Sequence, residues 1–183
     1  MLGLSQSVSS SSGAIERFPV VEYSSDFSSS TDGFSAFNDN TTPAATLTSG
    51  ISFEGKTDVL RINWDAEDDN GLFFIKKSFP DLTNQDLLQP IIEFSADIYY
   101  DFTSVGELTT LCGAGSYASS GNLVVNQSVV QGEWVNISGK MKASSGTAFD
   151  EFLYIGFVDV EDVPVSGDDM YVANIVFTFE DKS

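Results

Sequence analysis

From about residue 24 onward the chain is a succession of short runs rich in Phe, Ile, Val and Tyr, cut by clusters of Gly, Asn, Asp and Ser every ~8–15 residues. Punctuation that frequent leaves no room for helices of ordinary length. Within the runs, apolar residues recur with a period of two, the repeat of a strand that buries one face. In VLRINW, Leu60, Ile62 and Trp64 share one face while Val59, Arg61 and Asn63 take the other. In PIIEFSADIYYDF, Ile92, Phe94, Ala96, Ile98 and Tyr100 alternate with Ile91, Glu93, Ser95, Asp97 and Tyr99, giving one apolar and one mixed face. The mixed face is wet. With LFFIKKSF, NLVVNQSVV, EWVNISGKMKA, FLYIGFVDV and MYVANIVFTFED, the chain offers about eight or nine strands. The Asn70-Gly71 pair between VLRINW and LFFIKKSF predicts a hairpin there. The best helical candidate is Asp81 to Leu88, a turn or two capped by Asp81 and stopped by Pro90.

Two stacked antiparallel sheets are the economical packing for such a strand count, because each sheet buries one face and few long edges remain. The expectation is an all-β antiparallel sandwich with jelly-roll topology over residues 24–183, preceded by an extended Ser-rich arm over residues 1–23. A chain of 183 residues with 42% hydrophobic content and 15 Phe can fill one such core. An immunoglobulin-type sandwich is the alternative, but its Cys…Trp…Cys spacing is missing. Cys112 is the single cysteine, so it forms no internal disulfide, and its neighbours in TTLCGAGS mark a small buried residue.

Charge and composition narrow the function. Eight Lys and Arg against 27 Asp and Glu give a formal charge of -19, which repels phosphate backbones. Nucleic acid is not an expected partner. The chain has no His, which removes the commonest general base and the Ser-His-Asp and Cys-His arrangements, leaving only paired carboxylates for enzyme chemistry. Glu93 and Asp97 lie on one strand face with Cα atoms about 13 Å apart, whereas glycosidase carboxyls sit ~5–9.5 Å apart across a substrate. No enzyme activity and no cofactor are expected. No apolar stretch approaches the ~20 residues of a membrane-spanning helix. The sequons at Asn40, Asn126 and Asn136 read as chance in a chain rich in Ser and Thr, because the start lacks the apolar run of an export signal.

Three stretches in order, SDFSSSTDGFSAF, GEWVNISGKMKASSG and GDDMYVANIVFTF, resemble carbohydrate-binding modules of families four and nine and their jelly-roll relatives. In those modules an Asp-Phe strand opens the domain, a Gly-x-Trp strand sits late, and a Tyr-x-Asp-Asp/Asn-Val strand closes it. The resemblance implies a sugar-binding surface made of exposed rings with amides and carboxylates beside them. The candidates are Tyr99 with Glu93 and Asp97 on its face, and Tyr154 on the face opposite Leu153, Ile155 and Phe157. Trp64 is in phase with the core, and Trp134 occupies a position that is core in the family. Family members often carry a calcium-ligating Asp in the closing motif, where this chain has Ala173 and Asn174. Asp168, Asp169 and the Asp65–Asn70 loop remain as oxygen donors, but their spacing misses the calcium-loop pattern by one residue, and no metal is expected.

The opening MLGLSQSVSSSSG resembles the starts of small structural proteins of tailed bacteriophages. That resemblance implies a non-enzymatic virion protein, a capsid decoration or tail or fibre component, made in the host cytoplasm and displaying the jelly roll outward. Leu2, Leu4, Val8, Ile15, Phe18 and Val20 would anchor the arm to other virion proteins or to a second copy in a homo-oligomer. The alternative is a carbohydrate-binding module that recognises a cell-surface or environmental polysaccharide.

Overall fold

The computed structural model describes residues 21–38, 45–64, 72–77, 90–102, 107–114, 123–142, 153–158 and 166–181. These residues form strands β1 (Val21–Ser24), β2 (Ser35–Asn38), β3 (Ala45–Phe53), β4 (Lys56–Trp64), β5 (Leu72–Lys77), β6 (Pro90–Asp101), β7 (Glu107–Ala114), β8 (Leu123–Val130), β9 (Val135–Lys142), β10 (Leu153–Val158) and β11 (Asp169–Asp181). No helix occurs among the described residues, and the candidate helix at 81–88 lies outside them.

The strands make two sheets in which every pairing is antiparallel. The larger has the order β3-β4-β11-β6-β9, with β1 also paired to β11, and the smaller has the order β2-β5-β10-β7-β8. The chain keeps passing from one sheet to the other, so neighbours in sequence often face each other across the core. Sandwiched between the sheets are Leu60, Ile62 and Trp64 of β4, Phe94, Ala96, Ile98 and Tyr100 of β6 and Met170, Val172, Ile175 and Phe177 of β11, against Ile75 of β5 and Ile155 of β10. Phe27 and Phe34, from the segment between β1 and β2, complete this core. The alternation read in VLRINW and PIIEFSADIYYDF holds residue for residue at these positions.

Asn70-Gly71 lies outside the described residues, but the two strands it was expected to join as a hairpin do not pair. β4 belongs to the larger sheet, flanked by β3 and β11, while β5 belongs to the smaller, flanked by β2 and β10. Both strands bury their apolar residues in one core from opposite sides, which adjacent hairpin strands of a single sheet cannot do. The tight hairpin joins β3 to β4 instead, through Glu54 and Gly55 at φ 44° and 81°. Two consecutive positive φ angles are the signature of the turn whose twist matches paired strands. β1 starts at Val21, three residues before the expected domain boundary, and pairs with the second half of β11.

One irregularity shapes the outward face of the larger sheet. Ala173 is opposite Asp97 and Val176 is opposite Ser95, so β11 takes three steps where β6 takes two. The extra residue is a β-bulge at Asn174, whose φ of 52° lies in the left-handed region that Asn tolerates better than most residues. The bulge resets the phase: Met170 and Val172 point inward before it, Ile175 and Phe177 after it. Without it, Asn174 would enter the core and Ile175 would leave it.

Candidate functional site: the outward face of the larger sheet

The face of the larger sheet turned away from the core is the mixed face predicted from β6. Register lines its side chains into rungs. Arg61, Tyr171 and Tyr99 lie in one rung across β4, β11 and β6. Asp97 sits between Ala173 and Asn136 in the next, then Ser95 between Val176 and Ser138, then Glu93 between Thr178 and Lys140.

The first rung carries an aromatic cluster. Phe53, at the end of β3, lies flat on Tyr171 with ring centroids 3.7 Å apart and an interplanar angle of 4°. Tyr99 meets both rings edge-on, at 4.9 Å from Phe53 and 5.9 Å from Tyr171. Trp134, just ahead of β9, meets Phe53 at 6.3 Å and Tyr99 at 5.7 Å. Val59, Ala173 and Ile51 fill in beneath and beside them. Tyr171 is only 8% exposed, so it is the floor of the cluster, while Phe53, Tyr99 and Trp134 remain partly open to solvent. Such tilted and stacked contacts hold each ring in place by its neighbours.

Two fixed carboxylates border the rings. Asp169 takes a two-pronged hydrogen bond from Arg61, Nε and Nη2 each at 2.8 Å, and further bonds from Asn63 Nδ2 at 2.8 Å and the Tyr171 hydroxyl at 3.2 Å. That carboxylate holds the Arg61 guanidinium above its ordinary pKa. Burial raises the Tyr171 hydroxyl, and the negative charge of Asp169 adds to it. Asp97 accepts from Lys56 Nζ at 2.9 Å, Asn136 Nδ2 at 2.8 Å and Asn174 Nδ2 at 2.7 Å. Burial pushes Asp97 up, yet these three donors outweigh it and hold the carboxyl below the usual aspartate range. The Lys56 ammonium also lies 5.1 Å from the Trp134 ring centroid, within cation–π reach. The β3–β4 hairpin therefore places both Phe53 and Lys56 over this face.

The predicted residues divide. Tyr99, Asp97 and Glu93 share the outward face as expected from alternation along β6. Tyr154 is 1% exposed, packed 5.6 Å from the Phe74 ring, so the expectation of an open ring fails there. Trp64 is fully buried in the main core as expected. Trp134 is not in that core. Val135 and Ile137 point inward, so the residue one step before Val135 points outward, a signal already present in the spacing of EWVNI. Phe53 and Tyr171 were not singled out from sequence; Tyr171 shows the same signal, since it alternates with Met170 and Val172. Asp168 is 3% exposed, and Asp169 is committed to Arg61, Asn63 and Tyr171. The Asp65–Asn70 loop and the arm residues Leu2, Leu4, Val8, Ile15, Phe18 and Val20 lie outside the described residues.

No family model matches the chain, and no curated protein matches it. Solved structures do. The xylan-binding family 22 module CBM22-1 of Paenibacillus barcinonensis Xyn10C superposes with a TM-score of 0.58 at 12% identity, covering 88% of this chain and 95% of that one. The C-terminal family 22 module of Clostridium thermocellum Xyn10B, known for ligand binding in its cleft, gives 0.57 at 15% identity over 85% and 91%. The second xylan-binding module of the Paenibacillus enzyme gives 0.53 at 15% over 85% and 98%. The fold is the carbohydrate-binding-module jelly roll. At these identities the likeness is one of fold.

Proposed function

We propose that this domain is a non-catalytic polysaccharide-binding module whose binding surface is the outward face of the larger sheet. The observation that carries the reading is the cluster of Phe53, Tyr99, Trp134 and Tyr171 on a solvent-facing sheet surface, bordered by immobilised carboxylates. Rings pinned by one another offer flat apolar area to the C–H faces of sugars at little entropic cost, and the carboxylates and amides beside them accept and donate to hydroxyls. The fold shared with xylan-binding modules supports the same reading and makes β-linked plant-type polysaccharides the first ligands to try. The comparisons lend the virion expectation no support, and residues 1–20 of its arm lie outside the described residues, so the alternative named from the sequence takes precedence.

The test is affinity electrophoresis and calorimetry with xylan and mixed-linkage β-glucan. Tyr99→Ala and Trp134→Ala should each weaken binding at least tenfold while leaving the dichroism spectrum intact. Unchanged retardation of both variants in a gel that retards the wild type would move the site elsewhere.

A further inference from the structure

Beyond the aromatic cluster, on the far side of Asp97, the same face sinks into a trough of about 480 Å³ lined by Glu93, Ser95, Ser138, Lys140, Val176 and Thr178. Register explains its shape. The rung Val176–Ser95–Ser138 has small side chains, and β1 extends it, because Ser24 is opposite Val176. The rungs on either side are taller and fixed. On one side Glu93 is ion-paired to Lys140; on the other Asp97 is held by Lys56, Asn136 and Asn174. The floor thus crosses β11, β6 and β9, two strand spacings or about 10 Å, and Ser24 of β1 continues the rung beyond it. Among the described residues β1 and β9 are the edges of the sheet there, so no further strand closes either end of the trough.

Its lining is unusual for an exposed sheet surface. Positions of this kind gain from large or β-branched cross-strand pairs, yet a Ser–Ser pair sits at the middle. Val176 is 43% exposed, one of two large hydrophobics left so open among the described residues. Hydroxyls on the floor, one apolar strip and walls whose Glu93 and Lys140 charges cancel suit an uncharged, hydroxyl-rich ligand. Polyuronates would meet the chain's charge of -19.

We propose that this trough is a second glycan subsite, which takes an internal stretch of an uncharged polysaccharide by hydrogen bonds and without ring stacking. The inference rests on the carbohydrate-binding reading but not on the aromatic cluster, from which the Asp97 rung separates it. Two sites on one face would let a long chain engage both, so that polymers bind more tightly than oligomers.

The probes are xylohexaose and cellohexaose, titrated into the intact protein by calorimetry and by amide chemical-shift mapping. The variant is the pair Ser95→Ile with Ser138→Ile, which fills the trough with side chains that suit a strand and add no ring. The wild type should bind two hexasaccharides, with shifts at Ser95, Ser138 and Lys140 as well as at Tyr99 and Trp134. The double variant should bind one, keep the affinity of that site within twofold, and lose only the trough shifts. A wild type that binds one hexasaccharide, equally well in the double variant and with shifts confined to the aromatic rung, overturns the trough and leaves the carbohydrate reading standing. A single site abolished in the double variant but retained in Tyr99→Ala supports the trough and removes the aromatic cluster from binding. If neither hexasaccharide binds the wild type, the carbohydrate reading itself falls and the trough with it.

Discussion

Asn174 is the residue at which fold and site are most tightly joined, and its replacement separates two contributions. Its backbone sits at φ 52°, where an ordinary L-residue is disfavoured by about 1–2 kcal/mol. Its side chain donates to the Asp97 carboxylate at 2.7 Å, but from an exposed position, so that bond contributes toward the lower end of the ~0.5–1.5 kcal/mol range. Asn174→Gly removes the bond and eases the backbone; Asn174→Ala removes the bond and keeps the strain; Asn174→Val adds a branched Cβ. The expected order of stability is wild type close to Gly, then Ala lower by about 1 kcal/mol, then Val lower again. In a chain of this size 1 kcal/mol corresponds to about 2–4 °C in Tm. Urea unfolding should show falling midpoints with an unchanged slope, because the surface exposed on unfolding is the same. Ala and Val variants as stable as Gly would refute the bulge. The backbone would then be extended at 174, and the phase of Ile175 and Phe177 would need another explanation.

Two further outcomes follow from local geometry. A Cβ at Gly50 would come within 2.8 Å of the Ser28 carbonyl oxygen at φ 70°, whereas at Gly55, at φ 81°, it would meet nothing within 4 Å. Gly55→Ala should therefore lose only about 1 kcal/mol of backbone strain, and Gly50→Ala clearly more by thermal denaturation; equal losses would contradict the close approach. Asp97 has a folded-state pKa below its unfolded value, so its contribution to stability is present above the ordinary aspartate range and is lost as pH falls through the folded value. Asp97→Asn should be less stable than the wild type at neutral pH, with the gap closing in acid; a gap constant across the acid range would show that the three donors do not act on the charge.

What was legible in the chain follows the range of the interactions involved. Alternation along β6 is a local property, and it placed Tyr99, Asp97 and Glu93 on one wet face and Phe94, Ala96, Ile98 and Tyr100 inside. The three-residue step from Val172 to Ile175 was equally local and marks the bulge, although a strict period of two conceals it. The Asn70-Gly71 hairpin failed because a turn signal says nothing of which sheet the next strand joins, and here β11 had already taken the place beside β4. Phe53 could not be assigned to the site from its own neighbourhood. Its ring reaches Tyr171 because the β3–β4 hairpin pairs beside β11, a contact set by tertiary register. Tyr154 failed because both sides of its strand are buried: Tyr154 and Ile155, on opposite faces, are 1% and 0% exposed, so side-chain alternation there marks no open side.

The outward face also suggests how a sheet that is a structural wall could serve as the proposed recognition surface. An apolar cluster on a wet face normally invites association, but here Tyr171 is roofed by Phe53 and the remaining rings present edges and partial faces. On the proposed binding function, the rim would make this patch selective instead of sticky. Arg61 and Asp169 neutralise each other in a geometry that fixes both, and Lys56 ties the hairpin to Asp97. Charges already paired need not be stripped of partners when a neutral ligand docks, so binding costs little desolvation. A charged ligand must break those pairs or bury beside them unpaired, which is costly. If the proposed function holds, a preference for uncharged chains would thus arise from the ion pairs that border the rings.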